Sequence, residues 1–245
     1  MLLLTVPAGA RSAAAAERDS AWAGGADRVS AIEREATEIA SGIVGSNVTV
    51  ECADPDDWRA LGSRDDFDPT LVWGLTLVHG GAVDAAARRT TLAPRTCRFL
   101  AAFAASPSVR GTRVCVHPTA QKGASQTMLG ECDSWGSTLV AVHVLTHETM
   151  HLAGVVDEAV ADCLAMQLDA VVARGLGASP TFGATLARDY WSQYYGAQDA
   201  SYRSPDCGNR RRLDVFPNDA GWPTPRRTVI AQAAVAAFLA RSSAI

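Results

Sequence analysis

Lysine is almost missing from this chain: of its 22 basic residues only Lys122 is a lysine, and the rest are arginines. With alanine used heavily, that skew reads as genomic composition rather than function. A basic surface is missing too. The formal net charge is −4 at pH 7, which removes the electrostatic footprint on which nucleic-acid binding depends. No stretch reaches the roughly 18 unbroken apolar residues of a membrane helix. No Cys-x-x-C pair and no internal repeat occur. The six cysteines (Cys52, Cys97, Cys115, Cys132, Cys163 and Cys207) are dispersed. Even number and wide spacing suit disulfides in an oxidising compartment better than a thiolate zinc site. An extracytoplasmic or secreted protein is therefore expected, the alternative being a cytoplasmic one with six buried thiols. The sequence does not choose among the possible pairings.

What is present suffices for a substantial core: 48% of the residues are hydrophobic, enough for one domain over residues 26–245. Residues 1–25 read as a signal-like or disordered segment. Met1 to Val6 is a short apolar run, and Ala8-Gly9-Ala10 has the small-x-small form of a signal cleavage site. No positive region precedes it, and the apolar run is short. A flexible tail and a signal peptide whose start lies upstream both remain open.

From Asp27 a helical pattern begins, with Val29, Ile32, Ala36, Ile39 and Ile43 at spacings of three and four, ending near Gly42 and Gly45. Val48 to Cys52 alternates like a strand. Asp54 to Pro69 reads as an acidic surface loop, and Leu71 to Val78 as a second strand stopped by Gly80-Gly81. Leu92 to Ala105 reads as a helix closed by Pro107. Thr112 to His117 reads as a strand ending at Pro118, and Thr127 to Cys132 as a weaker one. A long apolar helix runs from Ser137 through Leu152. Helices follow at about Asp157 to Arg174, Pro180 to Tyr195 and Arg226 to Arg241, with a Pro- and Gly-rich stretch over 199–225. Strands before and helices after give an α+β class.

The chemistry concentrates at His147-Glu148-Thr149-Met150-His151. Histidines four apart on a helix share a face one turn apart, so both rings can reach one zinc ion. Glu148, beside the first of them, stands where a general base for water is wanted. Chance alone would place such a motif in roughly three of a thousand chains of this composition. His143 lies one further turn back, too far along a straight helix to join the same ion, and reads as a packing or supporting residue. A catalytic zinc takes a third protein ligand. On an unbroken helix Glu158 would stand about 10 Å beyond His151. Gly154 offers a break that lets a second helix fold back, with Asp157 as its N-cap. Glu158, Asp157 and Asp162 remain the open candidates. Small residues at Ala159, Ala161 and Ala165 let two helices approach closely.

These residues, His147-Glu148-x-x-His151 followed by Glu158-Ala159-Val160-Ala161-Asp162, resemble the gluzincin branch of zinc metallopeptidases over Ser137 to Asp162. The resemblance implies a zincin-like fold, with a small sheet packed on the catalytic helix and a helical C-terminal half. It also implies Zn2+ held by His147, His151 and Glu158, with Glu148 as catalytic base and Asp162 orienting a ligand histidine. Peptide-bond hydrolysis by Glu-assisted attack of zinc-activated water follows, on a peptide or protein substrate. The alternative is a non-catalytic zinc-containing secreted binding or regulatory domain. The chain as a whole also resembles secreted proteins of actinobacteria. The family further implies an edge strand that pairs with extended substrate, for which Thr127 to Cys132 is the candidate, and a group that stabilises the oxyanion. Tyr190, Tyr194, Tyr195, Tyr202, His79 and His117 are equal candidates for that role. Oligomeric state is not encoded in any recognisable feature.

Overall fold

The computed structural model describes residues 26–61, 73–76, 78–79, 82–83, 88–105, 107, 126–226 and 230–242. These are mostly helical, an α+β arrangement of seven α-helices with a three-stranded sheet and a two-stranded ribbon. Helix α1 (Ala26–Val44) buries Ile32, Ala36, Ala40 and Ile43, the stripe its periodicity demands. Gly45, at φ +79°, adopts the left-handed conformation that ends the helix. Polar residues beside that stripe reach β1 (Thr49–Cys52). The Ser41 hydroxyl accepts from the Val48 N–H at 3.2 Å, Thr37 from Val50 at 3.0 Å, and the Glu33 carboxylate from Cys52 at 2.8 Å. Helix side chains thus take the place of another strand along this edge.

Helix α2 (Pro55–Leu61) follows, then β2 (Gly74–Thr76), β3 (Val78–His79), β4 (Ala82–Val83) and β5 (Arg89–Leu92). The sheet order is β1-β5-β2, with β1 parallel and β2 antiparallel to β5. Among the described residues, β2 therefore has a strand neighbour on one side only. Helix α3 (Pro94–Ala105) buries Cys97, Leu100 and Phe103 and is joined to β1 by the Cys52–Cys97 disulfide.

Helix α4 (Gln126–Leu152) runs through the centre, between the sheet, α3 and the later helices. Leu139, Val142, Leu145 and Met150 are fully buried. Thr146 and Thr149 bury their hydroxyls by donating to the carbonyls of Val142 and Leu145, at 2.9 and 2.7 Å. A helix enclosed on all sides needs such internal satisfaction of its polar groups. Helices α5 (Glu158–Gly175) and α6 (Pro180–Gln193) complete the helical layer. They cross closely at Gly183, where an added Cβ would stand 2.9 Å from the Ala170 carbonyl oxygen. The chain then makes two short 3-10 turns, Tyr195–Ala197 and Ala200–Tyr202, and returns along α5. There the Gln167 amide donates to the Leu213 carbonyl and accepts from the Val215 N–H, both at 2.8 Å, and Cys163–Cys207 adds a covalent tie. Helix α7 (Ala231–Ser242) closes the described chain.

Several expectations change. Residues 127–132 are the first turns of α4, not a strand. Met128, Cys132, Trp135, Leu139 and Val142 continue one helical spacing that Gly130, Asp133 and Gly136 obscure. The expected loop from Asp54 contains α2, with Asp54 accepting from the Asp56 N–H at 2.7 Å and Trp58 buried beneath. Leu92 ends a strand rather than opening a helix, and the last helix starts at Ala231 rather than Arg226. Within the strand expected at 71–78, β2 and Val78 are strand; Leu71, Val72 and Leu77 lie outside the described residues. So do residues 1–25, 62–69 and the strand expected at 112–117. Cys115 and the Cys132 side chain are likewise outside, so two of the expected disulfides are established.

Candidate metal centre

Helix α4 directs His143, His147 and His151 toward α5, and the way α5 begins decides which acid meets them. Gly154, at φ +98°, lets the chain reverse, with the Val155 N–H donating to the Met150 carbonyl at 3.1 Å. Asp157 spends its carboxylate capping α5, accepting from the Val160 N–H at 2.9 Å. Glu158 is thereby delivered to the histidines. The Nε2 atoms of His147 and His151 are 3.0 Å apart, and Glu158 Oε2 lies 3.0 Å from the first and 3.4 Å from the second. Ligand atoms at about 2.0–2.1 Å from a tetrahedral ion stand about 3.3–3.4 Å from one another. The triangle therefore has roughly the size of one face of a tetrahedral site, and the three residues could hold a metal ion.

The far ring nitrogens are also engaged. His151 Nδ1 donates to the Val155 carbonyl at 2.7 Å, and His147 Nδ1 faces Asp162 Oδ1 at 3.7 Å. Both arrangements turn an Nε2 lone pair toward the centre. Hydrogen bonds from His147 and then His151 hold the Glu158 carboxyl down at about 2. Burial pushes His147 down, but the facing Asp162 carboxylate, the bond to Glu158 and the nearby Glu148 charge outweigh it and raise the ring to about 10. His151 is raised as well, Glu158 overcoming the effect of burial. Metal-free, the centre therefore holds protons that a cation must displace.

Behind it lies a sealed polar cluster. His143 sits between two carboxylates, with Nε2 at 2.9 Å from Asp162 Oδ1 and Nδ1 at 3.0 Å from Asp169 Oδ2. Tyr190 stacks on its ring at 3.7 Å between centroids, and Gln198 Nε2 donates both to Asp162 Oδ1 at 3.0 Å and to the Tyr190 hydroxyl at 2.8 Å. Burial alone would lower His143, yet Asp169 and Asp162 raise it to about 9. Asp162 lies well below the usual carboxylate range: burial opposes this, but His143 prevails. Burial keeps Asp169 raised. His143, His147 and Asp162 form a second group able to hold a metal. The first group suits one better. Both nitrogens of His143 are already taken and its surroundings are closed, whereas the Glu158 side chain is 46% exposed and leaves a coordination position facing solvent.

Glu148 turns away from the histidine triangle's protein side and meets the sheet. Its Oε2 accepts from Thr76 at 2.5 Å and from Thr90 at 3.4 Å, while Oε1 carries no hydrogen bond among the described residues. Gly74 makes room for it, since a Cβ there would stand 2.9 Å from Oε1. Opposite, Tyr202 has its ring 6.0 Å from that of His147 and is 38% exposed. Its hydroxyl is pushed up by burial and by the charges of Glu158, Glu148 and Asp162. The other tyrosines are occupied: Tyr190 in the His143 cluster, Tyr194 stacked on Tyr190, and Tyr195 accepting from the Ser204 N–H at 3.0 Å. The His79 side chain and His117 lie outside the described residues.

The structure thus brings His147, His151 and Glu158 together, sets Glu148 beside them and places Asp162 behind His147. Thr76, Thr90, Asp169 and Gln198 are additions that the sequence reading missed. Asp169 alone carried a signal, standing seven residues beyond Asp162 on the same helix face. No family model, curated protein or solved structure matches this chain.

Proposed function

We propose that this chain is a zinc metallopeptidase of the gluzincin type with a zincin-like fold. The observation that carries the proposal is the convergence of His147 Nε2, His151 Nε2 and Glu158 Oε2 within 3.4 Å of one another, with one side open. Two imidazoles and a carboxylate with a vacant fourth position suit a catalytic zinc. When bound, zinc supplies a Lewis acid that polarises a carbonyl and lowers the pKa of water. Glu148 takes the proton of the attacking water on Oε1 and delivers it to the leaving amine. Thr76 and Thr90 hold its other oxygen and so fix the carboxylate's direction. Tyr202, kept protonated, donates to the carbonyl oxygen as charge develops there. Strand β2, beside Glu148 and lacking a second strand neighbour, replaces residues 127–132 as the edge that pairs with an extended peptide. The two disulfides support an oxidising compartment.

One observation favours a second reading, a zinc-containing binding domain without turnover: the short Thr76 bond ties Glu148 into the sheet. Glu148→Gln separates the two. Under the first reading it retains about one zinc per chain and loses cleavage of a mixed peptide substrate. A wild-type protein that holds zinc and cleaves no peptide supports the second. Zinc stoichiometry of Glu158→Ala tests the ligand set itself, and unchanged occupancy there rejects it.

A further inference from the structure

A concavity opens along the C-terminal part of α5, away from Glu158 and sharing no lining residue with His147, His151 or Glu158. Arg174 stands sixteen residues beyond Glu158 on that helix, roughly 24 Å by the helical rise. The cavity has a volume of about 540 Å³, formed where α5 and α6 diverge from their crossing at Gly183 and covered by residues 220–226. That is the size of a small-molecule site. Its polar lining is Arg174, Arg188, Arg226, Thr181 and Thr224, and no acidic residue lines it.

None of the three arginines forms an ion pair among the described residues. Of the adjacent acids, Asp189 acts on Arg188 through its charge without a direct ion pair, and both carboxylates accept hydrogen bonds from other groups. Asp189 accepts from the Trp135 indole at 3.3 Å, and Asp219 accepts from the Gly221 and Arg226 N–H groups at 2.7 and 2.9 Å. Arg174 lies in the last turn of α5, where a cation suits the helix dipole, but that reason does not extend to Arg188 or Arg226. Arg188 lies on the exposed side of α6, donating to Thr185 one turn earlier at 3.1 Å. Trp222 also lines it and packs at right angles to Trp191, with centroids 5.5 Å apart at 86°.

Three solvent-exposed arginines and no acid line this cavity, and guanidinium forks match the paired oxygens of carboxylates and phosphates. We infer that this cavity binds a small organic oxyanion with at least two negative charges, its planar or apolar part lying against Trp222. The site is independent of the metal centre.

The test is calorimetric titration of the zinc-loaded full chain with trimesate, phenyl phosphate and inorganic phosphate, at ionic strength held constant with sodium chloride. Saturable binding of trimesate or phenyl phosphate is expected with a Kd below about 1 mM. Arg174→Gln combined with Arg226→Gln is expected to weaken it about tenfold or more while zinc content stays unchanged. Tryptophan emission should respond to ligand in the wild type and lose that response in Trp222→Phe. Binding of inorganic phosphate alone, an adventitious ion only, would overturn the inference. So would a heat that sodium chloride reproduces, undiminished binding in the double variant, or binding confined to a long acidic peptide.

Discussion

Tyr202 and His143 show how much a single side chain can matter on either side of the metal centre. Under the proposed function, removing the Tyr202 hydroxyl takes away one donor to developing charge, an effect of about 100-fold to 1,000-fold on kcat where such donors have been deleted. Tyr202→Phe is expected to lower kcat by that order with zinc content intact, read from steady-state kinetics beside metal analysis. His143→Leu leaves Asp162 and Asp169 facing each other in a closed interior. Breaking a buried charge pair from one side costs about 3–5 kcal/mol, so the urea midpoint should fall steeply. Gln198, which bonds Asp162 and Tyr190 but is not charged, should cost less when replaced by Leu. At this scale the sequence was legible wherever the arrangement spans one helix turn or a short break: His147, Glu148, His151, Glu158 and Asp162 were named from spacing and resemblance, and the fold brings them together. Thr76, Thr90 and Gln198 could not, because their roles depend on chain segments dozens of residues away and hydroxyls or amides of this kind occur everywhere.

Elements position these residues through a few close approaches. β2 passes α4 at Gly74, where an added Cβ would meet Val144 Cγ1 at 2.8 Å and Glu148 Cγ at 2.9 Å. Gly74→Val is expected to displace Glu148 and reduce turnover about tenfold or more while zinc remains bound, measured by kcat/KM and metal content together. The α4–α5 reversal depends on Gly154 for its conformation rather than for space, since nothing lies within 4 Å of an added Cβ. Gly154→Ala should therefore cost only about 1 kcal/mol, the strain of a left-handed residue, by equilibrium unfolding. Helix periodicity revealed α1, α5 and α6 because each buries one clear stripe or carries a capping residue. It understated α4, whose early glycines hide the spacing. β5 was hidden for another reason: Arg89-Thr90-Thr91-Leu92 is too short to show alternation, and its pairing with β1 and β2 is non-local.

For the molecule as a whole, the candidate metal centre and the His143 cluster behind it tie stability to pH. His143 rises from 6.5 to about 9 and His147 from 6.5 to about 10 in the metal-free fold. The stability they contribute is complete below pH 6.5 and is lost as pH climbs through those values. Glu158 falls from 4.5 to about 2. Its contribution, and that of the depressed Asp162, is present above the ordinary carboxylate range and lost as pH drops toward 2. Metal-free protein should therefore have its highest urea midpoint between pH 4.5 and 6.5 and a lower one near pH 9. Zinc should raise the unfolding free energy at neutral pH by about 2.7 kcal/mol when free metal is a hundred times its Kd, and the midpoint with it. If added zinc leaves the midpoint unchanged, the folded chain does not bind it selectively.

The Cys163–Cys207 bond begins one residue after Asp162 and encloses both Gln198 and Tyr202 in its loop. The histidines and Glu158 need only α4 and α5 to meet; the tyrosine side depends on a returning segment that this crosslink fastens. The site thus has two parts, a floor built by the two helices and a roof whose place a covalent bond fastens. Reducing this bond is expected to free the segment carrying Gln198 and Tyr202 while leaving the helix-borne histidines and Glu158 together.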